Sequence, residues 1–429
     1  MKTELFQINK WTLPSGLRLM VMPMKGTATV TLMILVGTGS RNEKPEQAGI
    51  SHFLEHLFFK GSKKRPNTRM ISEAIDEIGG EFNAFTSKEM TGFYAKASSE
   101  HASILLDVLG DMLLHPIFDP KEIDRERGVI IEEMNMYEDT PLESIGENWE
   151  CLLYADHPLG RKIVGTKEII RSVSRRTIVK YMKNQYTSDN VVVCLAGNIE
   201  PGEGKKLLEK TFRTFSKSIP EKGTAFDGKW GPELVNMKEK KTDQAHLIIG
   251  GTGVSMIDKD RAASDLLANI LGGGMSSRLF IEVRERRGLA YSVHTASEHF
   301  VDTGYIGTQV GVDPSKAEKA LEVILKEYKK ITEKEVSKNE LNKARENMKG
   351  HMLLRLESSS AVAQFAGGQE ILTGRTLKVD EFFEQLEKVT PNDIIRVAKT
   401  HLAPDQLRIA AIGPDNKKEN FENLLKNKK

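Results

Sequence analysis

The chain has 429 residues, 39% hydrophobic and 28% charged, and 62 basic against 60 acidic side chains give a formal net charge of +2. That length and apolar content exclude a disordered chain and a single small core, so two or more domains are expected. The balanced charge leaves no electrostatic footprint for nucleic acid or for an anionic membrane surface.

Met1 to Leu13 alternates polar and apolar residues and lacks the apolar core of a signal peptide. Gly16 to Pro23 and Thr27 to Val36 read as strands joined at Met24-Lys25-Gly26. The second of them holds the most apolar stretch, which is too short to cross a bilayer as a helix. A glycine-bearing loop, Gly37 to Gly49, leads into a helix from about Ser51. The basic run Lys60 to Arg65 reads as a solvated turn. A helix is expected over Thr68 to Ile78, extended chain over Glu81 to Ala97, and helices over Glu100 to Leu114 and Pro120 to Tyr137. Asp119-Pro120 is a good helix start, an N-cap followed by proline at the first helical position. Val191 to Ala196 reads as a closing strand.

Phe215 to Gly231 carries Pro220, Gly223, Gly228 and Gly231 among polar residues and reads as a linker. The pattern then begins again. Strands are expected at Leu234 to Lys238 and Ala245 to Gly250, a helix at Asp260 to Leu271, and a strand-rich segment at Tyr291 to Val310. Long charged helices follow at Pro314 to Glu333 and Lys338 to Glu357, then a last strand at Leu407 to Ile412. The fold class is therefore α+β, two related α/β halves from an internal duplication, each a mainly antiparallel sheet with packed helices. Cys151 and Cys194 form neither a metal-binding spacing nor a disulfide framework, so a reducing, cytoplasmic compartment is expected.

The chemistry gathers in His52-Phe53-Leu54-Glu55-His56, which has no counterpart in the second half. On a helix these three polar residues share one face, so two imidazoles can grip one ion from consecutive turns. Zinc accepts nitrogen ligands and keeps a coordination position open for catalysis. Glu55, beside it, can act as general base toward zinc-bound water attacking a carbonyl. The neighbours Ile50, Phe53, Leu54, Leu57, Phe58 and Phe59 are apolar, and polar residues inside a buried helix need partners. Glu122, Glu126, Glu132, Glu133 and Glu138 offer a third ligand. Glu126 and Glu133, two turns apart, line one stripe, and Glu132 is rotated away by about 100°. Periodicity alone does not choose among them.

The sequence Gly49-Ile-Ser-His-Phe-Leu-Glu-His-Leu-Phe-Phe-Lys-Gly-Ser62 closely resembles the pitrilysin and insulin-degrading-enzyme group of metallopeptidases, the inverzincins of family M16. It is most similar to the short bacterial branch related to the mitochondrial processing peptidase β-subunit. Glu81 to Ser87, Tyr154 to Gly160 and Gly272 to Phe280 extend the resemblance over essentially the whole chain. The resemblance implies one Zn2+ per chain, held by His52, His56 and Glu133, with Glu126 supporting a zinc-bound histidine from the outer shell. It implies an edge strand at which Asn83 and Ala84 meet the substrate backbone. It also implies that Arg284 and Tyr291 reach the substrate and the tetrahedral oxyanion. The domains expected are 1–215, the zinc-binding catalytic half; 216–231, the linker; and 232–429, the half without metal that contributes substrate-binding residues. In this family four such units face one another around the active cavity, so a clamshell-like chamber formed by a homodimer is implied, or by a heterodimer with a related subunit. The expected activity is zinc-dependent endopeptidase action on peptides or unfolded polypeptide. The competing expectation is a non-catalytic, core-like structural or binding subunit, against which the intact motif argues.

Overall fold

The computed structural model describes residues 6–415 and 417–426. The chain forms two compact units. The first comprises the chain up to Asn135, Arg161–Thr224 and Leu353–Asp380; the second comprises Met136–Gly160, Ala225–Met352 and the chain from Glu381 on. The passage between Thr224 and Ala225 lies inside the polar, glycine-bearing stretch.

The first unit is built on six strands: β1 (Asn9–Thr12), β2 (Arg18–Pro23), β3 (Thr29–Val36), β4 (Glu81–Thr86), β5 (Thr91–Ser98) and β6 (Val191–Gly197). Their order is β1-β2-β6-β3-β5-β4. Only the β2–β6 pair is parallel. The second unit holds β7 (Val235–Glu239), β8 (Ala245–Gly253), β9 (Ala290–His299), β10 (Gly304–Val312) and β11 (Arg408–Gly413), in the order β7-β11-β8-β10-β9. Here the β7–β11 pair alone is parallel. With β1 set aside the two sheets have one topology: the first strand lies parallel to the last, the second strand follows, and the closing hairpin ends at the free edge. The internal duplication read from the sequence is thus present in the strand order.

Each sheet is covered by a helix from the other half of the chain. Ser359–Thr373 packs on β3 and β6, and Pro141–Tyr154 packs on the equivalent strands β8 and β11. Gly367 makes the first of these contacts possible, since a Cβ there would lie 2.6 Å from Cys194 Sγ and 2.7 Å from a methyl of Leu35. The opposite face of β3 and β5 is covered by the helix Ala102–Leu114. A strand buried on both faces reads as a continuous apolar run rather than an alternation, which is the pattern of β3, Thr-Val-Thr-Leu-Met-Ile-Leu-Val. The second core gathers Leu247, Ile249, Leu266, Leu267, Ile306 and Ile324 among others, all closed to solvent.

The expected strands and helices are present, most within two or three residues of the limits read from sequence. The sequence reading missed β1, the helices Pro141–Tyr154, Lys167–Ser172, Arg175–Gln185 and Pro201–Phe212, and all four helices that follow Arg355 among the described residues. Among the described residues no helix is long and apolar enough to cross a membrane.

Candidate metal centre

The helix Ile50–Phe58 begins at Gly49, whose φ of 94° is left-handed and whose Cβ position lies 2.6 Å from the Val164 carbonyl oxygen. Glycine is the residue that adopts this conformation without strain. The exposed amides of the first turn are met by Glu43, whose two carboxyl oxygens accept from Gly49 N at 2.7 Å and Ser51 N at 2.8 Å. Burial pushes the Glu43 pKa up to about 8, against the pull of these amides. Ile50, Phe53, Leu54, Leu57 and Phe58 are buried, and Phe58 packs edge-on against Phe93 and Phe118. This anchoring leaves His52, Glu55 and His56 along one face, as the spacing requires.

That face meets the helix Pro120–Asp139. Asp119 Oδ1 accepts from Lys121 N at 2.7 Å at its start. Ile123, Glu126, Ile130 and Met134 form its buried stripe. Glu126 is thus a carboxylate set in an apolar row, and Glu133 stands beside that row. Arg127 lies over the Phe53 ring, 5.6 Å from its centroid, and donates to the carbonyls of Ile170 and Val173.

His52 Nε2 lies 3.5 Å from Glu133 Oε1, and His56 Nε2 lies 3.4 Å from Glu133 Oε2. Among the described residues His52, His56 and Glu133 form a group whose ligand atoms all lie within 4.8 Å of one another. Bonds of about 2.0–2.1 Å to a tetrahedral ion separate neighbouring donors by about 3.4 Å, and each histidine nitrogen lies at about that distance from a Glu133 oxygen. Glu133 Oε2 is buried without a hydrogen-bond partner, so the approach of the three groups is not explained by hydrogen bonding alone. Two imidazoles and a carboxylate converging in this way fit a zinc ion. Glu132 is exposed, and Glu122 pairs with Arg125 at 2.6 Å.

Glu126 reaches the far side of His56: its Oε1 lies 2.9 Å from Nδ1, and its Oε2 lies 2.7 Å from Lys60 Nζ. Burial pushes the Glu126 pKa up, but the bonds from His56 and Lys60 outweigh it and hold the carboxyl below its ordinary range. Glu133 follows the same balance, with burial opposed by His52 and His56. Glu55 is half-buried, and its Oε2 accepts from Thr86 Oγ1 at 2.6 Å. Lys60, Thr86 and Glu43 are the parts of this cluster that sequence reading missed. Lys60 lies in the run expected to be a solvated turn; instead it pairs with Glu126, and Lys64 and Arg65 pair with Asp107. Neither a lysine nor a threonine outside the motif carries a spacing signal that singles it out.

Asn83 and Ala84 lie on β4, which is an edge strand. Asn83 Oδ1 accepts from Ala84 N at 2.8 Å, so the side chain satisfies an amide of the edge locally. In the second unit the structure brings Arg284 and Tyr291 together. The Arg284 guanidinium lies 4.7 Å from the centroid of Phe280 and 4.8 Å from that of Tyr291. Arg286 and Arg287 are instead engaged by Glu282. Arg284 belongs to the π-helical turn Phe280–Glu285, a rare geometry that often marks functional positions.

A duplicated α+β chain with an inverted His-x-x-Glu-His helix facing a carboxylate helix defines a candidate hydrolytic metal centre. The family model described as Insulinase (Peptidase family M16) matches residues 19–167, and the model described as Peptidase M16 inactive domain matches residues 172–348. The chain is 37% identical over 410 residues to an uncharacterized zinc protease of Bacillus subtilis (strain 168), covering 95% of this chain and 98% of that one. It is 34% identical over 416 residues to an uncharacterized zinc protease of Streptomyces coelicolor, covering 95% and 90%. The crystal structure of a protease from Helicobacter pylori superposes with a TM-score of 0.87 at 25% identity, covering 96% of this chain and all of that one. The chain belongs to peptidase family M16.

Proposed function

We propose that the protein is a zinc-dependent endopeptidase that hydrolyses peptides or unstructured segments of polypeptide, with one zinc per chain. The observation that carries this reading is the convergence of His52, His56 and Glu133, whose ligand atoms all lie within 4.8 Å of one another, on the helix face that also carries Glu55. Curated relatives named zinc proteases, alike over nearly the full length, support it. His52, His56 and Glu133 hold the ion in this reading. A zinc ion, when bound, supplies Lewis acidity toward a carbonyl and lowers the pKa of water to about 7. Glu55 takes the proton of the attacking water and returns it to the leaving amine. Glu126 orients His56. The open edge of β4 pairs with an extended substrate backbone at Asn83 and Ala84, which requires a substrate free of its own structure. Arg284 and Tyr291 supply a cation and a phenol suited to developing negative charge. A homodimer is part of the reading.

The test is metal analysis of protein purified without chelator, together with cleavage of one segment offered free and inside a stable folded domain. Zinc near one per chain and selective cleavage of the free segment are expected. Metal-free protein with full peptidase activity would rule the reading out.

A further inference from the structure

We infer that Thr86 is the positioning residue of Glu55 and that it ties the orientation of this base to the strand edge on which a peptide pairs. The inference rests on the peptidase reading above. Thr86 Oγ1 donates to Glu55 Oε2 at 2.6 Å, within the range of hydrogen bonds to an ionised oxygen. Among the described residues it is the one hydrogen-bond partner of Glu55. Glu126 and Glu133 are engaged by histidines, and Glu126 also by Lys60, while Glu43 is engaged by the Gly49 and Ser51 amides. Glu55 is aimed by a neutral hydroxyl and, among the described residues, by no cation. With Oε2 engaged, Oε1 is left to receive a proton.

Thr86 is suited to this task by its type and its place. A β-branched side chain is stiff at χ1, so its hydroxyl direction follows the backbone. That backbone is fixed by pairing with Thr91 on β5. The strand itself is held to the histidine helix by Phe59, whose ring lies 5.6 Å from that of Phe82 and 6.4 Å from that of Phe93. A glutamate on a helix, by contrast, has several side-chain torsions to lose on being ordered. The stiff partner therefore sets the position of the soft one. Thr86 is also two residues beyond Ala84, on the same face of β4, and the Ala84 amide donates to Asn83 Oδ1 at 2.8 Å. A peptide that adds to this edge is registered within two residues of the hydroxyl that aims the base. Docking and base orientation are then properties of one short strand.

The experiment compares Thr86→Val, which keeps the shape and loses the hydroxyl, with Thr86→Ser, which keeps the hydroxyl. Zinc content and KM for an unstructured peptide should stay within twofold of wild type in both. In Thr86→Val kcat should fall about 10- to 100-fold, the scale of a misplaced reacting group, and Thr86→Ser should recover most of it. In a Glu55→Gln background Thr86→Val should cost nothing further, because it acts through the group already removed. Wild-type kcat in Thr86→Val, equal losses in the valine and serine variants, or an additional loss in the Glu55→Gln background would each overturn the inference. Crystal structures of wild type and Thr86→Val give a readout independent of activity: the Glu55 carboxylate should turn away from its wild-type orientation in the valine variant, and an unchanged rotamer would overturn the assignment. Wild-type protein without peptidase activity would defeat the functional reading, while the crystallographic comparison would still decide the role of Thr86.

Discussion

Glu126 Oε1 lies 2.9 Å from His56 Nδ1, on the side of the ring away from the nitrogen that faces Glu133 at 3.4 Å. A carboxylate accepts, so this contact places the ring proton on Nδ1 and leaves the Nε2 lone pair bare for a metal. Lys60 holds the same carboxylate from its other oxygen. Glu126→Gln should weaken zinc binding by about 10- to 100-fold, and Lys60→Met should weaken it less, in the same direction. A chelator-competition titration measures both, and unchanged affinity in Glu126→Gln would contradict the assigned contact.

The choice between adjacent carboxylates gives a second test. Glu133 faces both histidines, whereas Glu132 points to solvent one position round the helix. Glu133→Gln should strip the purified protein of most of its zinc, and Glu132→Gln should leave the stoichiometry at the wild-type value. The reverse pattern would show that the helix is rotated in solution so that Glu132 faces the histidines.

Among the described residues Glu55 hydrogen-bonds to Thr86 and to neither histidine. Glu55→Gln should therefore keep the zinc and lose peptide hydrolysis by about 10²- to 10⁴-fold, the usual worth of a positioned general base. Steady-state cleavage of an unstructured peptide, measured with parallel zinc analysis, decides this. An active, zinc-loaded glutamine variant would remove Glu55 from the mechanism.

The face of the candidate centre was legible in sequence because helical spacing puts His52, Glu55 and His56 on one side of the helix whatever surrounds them. The carboxylate that faces both histidines was not legible from periodicity, since Glu126 and Glu133 share a stripe. Their different contacts come from depth: Glu126 is 2% exposed within the apolar row and reaches the outer nitrogen of His56, while Glu133 stands beside that row. The exchanged helices Pro141–Tyr154 and Ser359–Thr373 were beyond sequence reading for a related reason. An apolar face records that a helix is buried but carries no address for the sheet that buries it. The second of them has small residues, Ala363, Ala366, Gly367 and Gly368, where it meets the sheet, and small residues give weak periodic signals. Thr86 and Lys60 act through single hydrogen bonds between elements distant in the chain, and such contacts leave no pattern.

Gly49 should be intolerant of a side chain for two reasons that add. Its φ of 94° is unfavourable for any other residue, and a Cβ would meet the Val164 carbonyl at 2.6 Å. Left-handed backbone at a non-glycine residue costs of order 1–3 kcal/mol, before the contact with Val164 is relieved. Gly49→Ala should lower the urea midpoint of the first unit and, by shifting the start of the histidine helix, weaken zinc binding as well. An alanine variant with wild-type stability would show that the loop relaxes at little cost.

The second unit should carry a pH dependence of its own, centred on His299. Its Nδ1 lies 2.8 Å from the Val254 carbonyl, and its Nε2 lies 2.8 Å from Asp265 Oδ1. Both of these partners are acceptors and favour a proton on each ring nitrogen, and Ser297 Oγ lies 3.2 Å from Nε2 as well. Burial pushes its pKa down, but the bonds to Asp265 and Val254 outweigh burial and leave the pKa above the ordinary value of 6.5. A pKa raised on folding means that the folded state holds the proton more tightly than the unfolded chain. The stability it contributes is fully present below about pH 6.5 and is lost as pH rises through the higher folded value. Hydrogen bonds to a charged group are worth about 1.5–3 kcal/mol, so His299→Gln should destabilise the strand Ala290–His299 by that order near pH 6. The variant should differ less from wild type at pH 9. Amide hydrogen exchange in β9, followed in both proteins across this range and corrected for intrinsic rates, gives the measurement. A constant difference between the two proteins at all pH values would mean that His299 acts by packing and not by charge.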